Sequence, residues 1–493
     1  MNIRSPEIRL SWRLYLALVL LAWLVNYPGR IESDTLSQLT EAQNLEKLND
    51  WHSPVVTWLY SLFTPALGQP ASALLVQALL VFFYPAITLR PQDHRGLGVT
   101  NVALDVAWAV LVAALIGMTG EILKDVVMVG AILCLLALLD LRPADKVVQL
   151  WFALVLLVLI VTIRRTNFLM LGIAGGVCAF FAFGAGRKLV FSLLLILILS
   201  AAAFYLPNFI NRKVLGARDA KQETALIVFD IAGISSDIKQ NLFSQLPGWS
   251  GEQAQRPWEC YTPKQVDPFN PFGKCKQYFE GFATAMQRAD APSPVLWWLH
   301  NVLRHPISYL KHRVSYTVEL FKNGEQPIVG WAPYALNTPK DIGVISGAVT
   351  NGRDVGAMTY VVGGMTYGID MTHKIQMWEP TIAVVPFYWI ANKVFGRRTS
   401  LVWGLAFCVV TLLWWWRNRR LHRQIDIVVV ASSALGLGNV LMLVAFGIGA
   451  DGRYLAPTLV CGIVSLLRTV YTERERVDGG FRWLKGARKR GWP

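Results

Sequence analysis

The sequence predicts an all-α polytopic membrane protein of about 10–11 transmembrane helices, carrying a mixed extracytoplasmic domain. Three observations lead there. Of 493 residues, 54% are hydrophobic and only 16% charged, against roughly 25% charged in a soluble protein. The mean hydropathy is +0.40. Several uninterrupted apolar runs approach the ~20 residues that cross a hydrocarbon core about 30 Å thick. A β-barrel would instead alternate over strands of about 10 residues. Cytosolic enzymes, disordered scaffolds and fibrous proteins are excluded on the same grounds.

The apolar runs lie near 10–27, 71–89, 98–117, 126–142, 147–163, 168–185 and 188–207, then near 379–395, 399–416, 425–447 and 454–470. They divide the chain into an N-terminal transmembrane module (1–207), an extracytoplasmic domain (208–378) and C-terminal helices with a basic tail (379–493). The first run follows Arg4 and Arg9 in the layout of a signal peptide. No small-residue cleavage site follows it, so it reads as a retained span. Residues 53–66 are too few to span and read as an interfacial helix.

The formal charge of +15 comes from 47 Lys+Arg against 32 Asp+Glu. In a membrane protein this excess anchors cytoplasmic loops and does not call for nucleic acid. Arg4, Arg9, Arg13, Arg90–Arg95, Arg142–Lys146 and Arg187–Lys188 then lie inside. Segments 28–70, 118–125, 164–167 and 208–378 fall outside, facing the periplasm or exterior of a plasma membrane. The run 379–395 decides the rest. If it crosses, Arg417–Arg420 land outside; if it is re-entrant or interfacial, they land inside. Pro380 and Pro386 favour the second arrangement, with roughly ten true spans and both termini cytoplasmic.

Within 208–378, helical patterns run over Gln222–Leu242 and Pro294–Leu320. The second places Trp297, Trp298, Leu299, Val302, Leu303, Ile307 and Leu310 at helical spacing. It either lies on the membrane surface or packs as a core face. Cys260 and Cys275 are 15 residues apart in sequence. An oxidising exterior allows a disulfide worth roughly 3 kcal/mol; two free thiols are the alternative. Cys134, Cys178, Cys408 and Cys461 read as small buried hydrophobes.

Ionisable residues beside spans are costly and therefore informative. They collect at four turns on the outer side: Glu32 and Asp34, with His52 further along; Glu121, Lys124 and Asp125; Arg164, Arg165 and Asn167; Arg453 and Tyr454. Each has an ordinary explanation. Glu32 and Asp34 fit a hydrated loop, Asp125 a helix N-cap worth about 1 kcal/mol, the arginines headgroup contact, and Arg453 a pair with Asp451. Their joint placement argues instead for one site at the outer interface. The only acid in mid-span is Asp105. No phosphate-binding P-loop, dinucleotide fingerprint or His-rich metal motif is present.

These turns resemble the GT-C superfamily of membrane glycosyltransferases. Glu32-Ser33-Asp34 in the first outer loop is similar to that family's modified Asp-x-Asp motif. Asp50-Trp51-His52-Ser53-Pro54 resembles its later His-Pro-like motif, with Ser53 where a second proline is frequent. Asp125 resembles the acid that opens the family's fourth span. The likeness covers the first 207 residues best, and points to the protein mannosyltransferase and lipid A or O-antigen modifying types. It implies a polyprenyl-phosphate sugar donor, an extracytoplasmic glycan, lipid or protein acceptor, and a single inverting displacement. Asp34 is then the expected base, with Glu32 and Asp125 beside it in the catalytic set. Arg164, Arg165 and Arg453 would stabilise the leaving phosphate. Lys124, Glu121, His52, Asn167 and Tyr454 would bind or orient substrate. A divalent metal is compatible with the acidic motif but not required by it. The rival readings are an O-antigen ligase or polymerase, and a transporter or flippase of lipid-linked glycans.

Overall fold

The computed structural model describes residues 12–27, 29–31, 33–88, 99–140, 146–164, 166–182, 188–249, 256–270, 273–322, 358–362, 365–369, 385–395, 398–418, 426–450 and 452–489. Helices dominate. The first group is α1 (Trp12–Asn26), α2 (Ser33–Gln43), α3 (Pro54–Ser61), α4 (Thr64–Leu67), α5 (Ala71–Val81) and α6 (Phe83–Thr88). Next come α7 (Val99–Thr119), α8 (Lys124–Asp140), α9 (Lys146–Ile163), α10 (Asn167–Ala182) and α11 (Lys188–Asn208). Two short strands, β1 (Arg30–Ile31) and β2 (Glu121–Ile122), pair in parallel. Among the described residues, five helices are long and apolar enough to cross a membrane, and shorter apolar helices accompany them. The chain is a helical membrane-embedded protein.

Why α8 stands at the centre follows from its sequence. Between Asp125 and Asp140 it carries no polar side chain except Cys134, and a helix apolar all round belongs inside. Every residue from Asp125 to Ala137 is buried. By contrast α9 and α11 turn Trp151, Val155, Leu197 and Ile198 outward. Lipid tolerates such a surface, whereas water would drive it to aggregate.

The C-terminal helices are α17 (Val385–Phe395), α18 (Arg398–Asn418), α19 (Ile427–Phe446) and α20 (Ala456–Lys489). Helices α8 and α20 run side by side in the same direction. Arg453, just before α20, pairs with Asp125, and Arg468 pairs with Asp140. Both pairs are 328 residues apart in sequence (453 − 125 and 468 − 140), so the two helices stay in register over their shared length. Arg468 also donates to Asp426 at 2.9 Å. Asp426 in turn caps α19 by accepting from the Val428 and Val429 amides. Hydroxyls of Thr411, Ser433 and Ser465 bond one another at 2.6–2.9 Å and stitch α18, α19 and α20 together, a common glue where water is absent.

Helix α18 is parallel to α20, since Trp415 bonds Thr469 and Thr411 bonds Ser465. Its first turn therefore lies at the Arg453 end of the bundle, and Arg417 at the Arg468 end. Helix α17 spans only about 16 Å at 1.5 Å per residue. It packs on α7 beside Gly117, two residues from the end of α7 that also meets the site described below. The apolar run 379–395 thus keeps to one end of the bundle within its described part, 385–395. Pro386 opens α17 rather than breaking it, because proline fits a first helical turn, where no partner is needed for its missing N–H.

Outside the bundle lie α12 (Gln222–Ile238), α13 (Pro257–Cys260), α14 (Gln277–Ala285), α15 (Pro294–Arg304) and α16 (Pro306–Lys322). A hairpin of β3 (Met358–Val362) and β4 (Met365–Ile369) follows. The single helix expected over Pro294–Leu320 is two. His305 leaves the helical conformation, and Pro306, which cannot donate to the preceding turn, starts α16. A disulfide joins Cys260 to Cys275, tying α13 to the segment that enters α14. The other four cysteines are free thiols within the bundle.

Candidate functional site

Asp125 is the hub. It is 2% exposed. Its Oδ1 accepts from Arg164 Nη2, and Arg453 Nε lies 3.8 Å from its Oδ2. Arg164 also stacks over the Tyr454 ring, 4.0 Å from guanidinium carbon to ring centre. Three separate stretches of chain thus place two guanidiniums on one carboxylate. The N-cap expected of Asp125 is not what forms: α8 begins at Lys124, so Asp125 sits inside the first turn and spends its charge on the arginines. Asp451, the partner expected for Arg453, lies outside the described residues, as do Glu32 and Arg165. Arg453 itself turns to Asp125.

A second buried side chain fixes the turn that carries Asp125. Gln77, in α5, donates from Nε2 to the carbonyls of Thr119 and Glu121, both at 2.9 Å. Its Oε1 accepts from the Leu123 amide and from the Tyr60 hydroxyl, both at 3.0 Å. One amide so satisfies three backbone groups of an irregular turn sunk in an apolar bundle, where each orphan costs about 1–3 kcal/mol. Replacing Gln77 by Leu is expected to lower unfolding stability by about 3 kcal/mol, read as a fall in melting temperature in detergent. An unchanged melting temperature would show that the turn holds itself.

The loop after α1 reaches the same place. Ile31 pairs with Ile122 across β1–β2, and the Thr35 hydroxyl donates to the Ile122 carbonyl. Gly29 turns the chain into β1 at φ +107°, where a side chain would be strained and would meet Ile122. Asp34 therefore stands in the first turn of α2, next to a residue bonded to the Asp125 turn. The His52 stretch is tied in as well. Ser53 donates to the Thr162 carbonyl at 2.9 Å, two residues before Arg164. Neighbouring Asp50 accepts from Arg212 at 2.9 Å and from the Ala220 amide at 2.6 Å, so it anchors the loop to the chain after α11. Asn167 is wholly buried and donates to the Ile160 carbonyl at 2.6 Å. From there it ties the Arg164 turn back to the end of α9. Glu121 is wholly buried too, while Lys124 and His52 are half-buried.

Helix α2 is polar in composition, yet Thr35 and every residue from Ser37 to Ala42 are buried. Glu41 shows the cost: Asn49 donates to it, yet burial outweighs that help and pushes its carboxyl up to about 8. The folded protein then holds this proton more tightly than the unfolded chain. Its contribution to stability is complete below a pH of about 4.5 and is lost as pH rises to about 8. Glu41→Gln is expected to match the parent's melting temperature at about pH 4 and to exceed the parent's stability by about 4 kcal/mol at about pH 8.5. A parent–variant difference that does not change with pH would refute this.

Sequence reasoning missed the feature that holds Arg453 in place. Outside the bundle Asp230 accepts from His312 Nε2 (3.0 Å) and Trp298 Nε1 (2.9 Å), and forms an ion pair with Arg313 Nη2 at 2.5 Å. Burial pushes the His312 value down, so the ring is neutral; with Nε2–H on Asp230, Nδ1 accepts from the Tyr261 hydroxyl. Burial opposes the Asp230 charge, but Arg313 and His312 outweigh it and hold the carboxyl below its usual range. Arg313 then donates to the Gly447 carbonyl at 2.7 Å and Tyr316 to that of Gly449 at 3.0 Å. Backbone bonds from Val266 to Ile448 and from Ala450 to Lys264 complete a clamp on 447–450, immediately before Arg453. The Pro306 break was the only local sign of this arrangement.

Among the described residues, no three His, Cys, Asp or Glu side chains come together as a metal-binding group. Comparison with family models, with curated proteins and with solved structures finds no match for this chain.

Proposed function

We propose that this protein is an integral membrane glycosyltransferase of GT-C type, which moves a sugar from a polyprenyl-phosphate donor to an acceptor outside the cytoplasm. The observation that carries the reading is the convergence on Asp125 of Arg164 and Arg453, beside the helix that begins at Ser33-Asp34. The donor is a phosphodiester with one negative charge, and the departing lipid phosphate gains a second. Two guanidiniums held in a largely dry site by buried partners suit that growing charge. Asp34 removes the proton of the acceptor hydroxyl, whose oxygen forms a bond to the anomeric carbon while the bond from that carbon to phosphate oxygen breaks. Configuration inverts, and the proton stays on Asp34 until it passes to solvent. Asp125 keeps Arg164 and Arg453 from collapsing elsewhere, and Tyr454 orients the Arg164 plane.

The gathering of these groups at one end of the bundle favours an enzyme over a transporter, whose site belongs near the bilayer midplane between repeated halves. The test is release of polyprenyl phosphate. Purified protein in vesicles is given a panel of polyprenyl-phosphate hexoses and pentoses with envelope extract as acceptor source, and lipid products are followed by mass spectrometry. Protein-dependent release from one donor is the expected result. No release from any donor, with release of polyprenyl pyrophosphate from glycan-bearing carriers, would replace the reading by a ligase or polymerase.

A further inference from the structure

Helices α15 and α16 bury one face in the outer domain and leave a second apolar face bare. The buried face includes Trp297, Asn301, His312, Arg313 and Tyr316. On the opposite side, Leu296, Leu303, Ile307, Leu310, Val314 and Val318 are each 43–70% exposed. A step of seven aligns Leu296 with Leu303 on α15, and steps of three and four align Ile307, Leu310, Val314 and Val318 on α16. A soluble domain rarely shows so long an apolar surface without a partner. The pair cannot roll to hide it, because His312 and Arg313 are locked to Asp230 on the far side.

We propose that this stripe is seated in the lipid surface that borders the helical bundle, so that α15–α16 hold the outer domain down on the membrane. Three features identify lipid as the occupant. First, α16 lies at the mouth of the bundle: it packs on α18 and α19, and Arg313 and Tyr316 bond the carbonyls of Gly447 and Gly449 where α19 ends. Second, the stripe holds no polar side chain. Protein partners usually meet a surface that is only modestly apolar and hydrogen-bonded, whereas acyl chains ask for no bonds. Third, exposed Arg304 follows one margin of the stripe, with Lys311 and Lys322 on the same side in surface pairs with Asp237 and Glu319. Basic side chains at that margin are where an interfacial helix meets lipid phosphates, and their long stems reach the headgroups from a partly sunk backbone. This seating is independent of the transferase reading, since it rests on the outer domain and uses no site residue.

The experiment is spin-label accessibility on the full-length protein in phosphatidylethanolamine–phosphatidylglycerol vesicles. Nitroxides are attached at Leu303→Cys and Leu310→Cys in the stripe and at Asp290→Cys, which is 60% exposed on the domain; signal from the unsubstituted protein is subtracted. The stripe labels are expected to collide several-fold more often with oxygen than with a water-soluble nickel chelate, and the Asp290 label to show the reverse. Stripe labels as open to nickel as the Asp290 label would overturn the proposal. So would stripe labels shielded from both reagents, since that marks a protein partner or a second copy on this face. All three positions are surface-exposed, so the cysteine variants keep the parent melting temperature, which is checked first.

Discussion

Asp34→Asn is expected to reduce sugar transfer by a factor of about 10²–10⁴, the usual worth of a positioned base, while the protein accumulates like the parent and melts only slightly below it. The substitution keeps shape and removes only the charge that accepts the proton. Asp34 lies in the first turn of α2, where a carboxylate also gains about 0.3–1 kcal/mol from the helix dipole. That sets the small stability loss the change should cause. Loop placement rests on other groups: the β1–β2 pairing, the Thr35 hydroxyl on Ile122 and the Asp50 anchor. The readout is initial rate of polyprenyl-phosphate release alongside a melting curve. Near-full activity would remove Asp34 as the base.

Arg164→Ala should lower both activity and stability, for separable reasons. Asp125 is buried and shares its carboxylate between two guanidiniums. Losing the closer one leaves a poorly compensated charge, at a cost of about 3 kcal/mol. Transfer should fall by about 10²–10³ in kcat, as when one donor to a developing oxyanion is lost. Arg164→Lys separates the two effects. It returns the charge, and so much of the stability, but not the planar group that stacks on Tyr454, so activity should remain low. A cycle combining Arg164→Ala with Asp125→Asn should give a stability coupling of about 2–3 kcal/mol. Additive losses would mean that the two residues act apart.

The helices of the bundle could be read directly from the chain because an apolar run in a membrane protein has few other fates. The start of α8 at Lys124 and the end of α9 at Ile163 fall within a few residues of the runs that announce them. The polar turns could be listed from the sequence too, and Arg164, Arg453, Tyr454 and Asp125 do meet. What local spacing does not carry is the choice among partners. Asp125 looks like a helix cap in its own segment, and only the fold brings it guanidiniums from 39 and 328 residues away. Gln77 gives no signal at all, being one glutamine in an apolar helix; its meaning lies in a turn more than 40 residues on. Asp230 lies on one amphipathic helix and His312 and Arg313 on another, and periodicity says which face is polar but not that a polar face is buried. Nor does a polar helix such as α2 announce that it will be enclosed.

The ion pairs at the two ends of α8 and α20 have a further meaning for synthesis. A ribosome finishes α8 more than three hundred residues before it makes Arg453 and Arg468. Until then Asp125 waits in the bilayer with Arg164 but without Arg453, and Asp140 waits without Arg468. The nascent chain is accordingly a high-contact-order assembly, slow to close because its decisive contacts are the most distant ones. It also means that a chain cut short by premature termination has no complete charge set at its mouth. Completion of the last helix is thus both the final packing step and the event that creates the site.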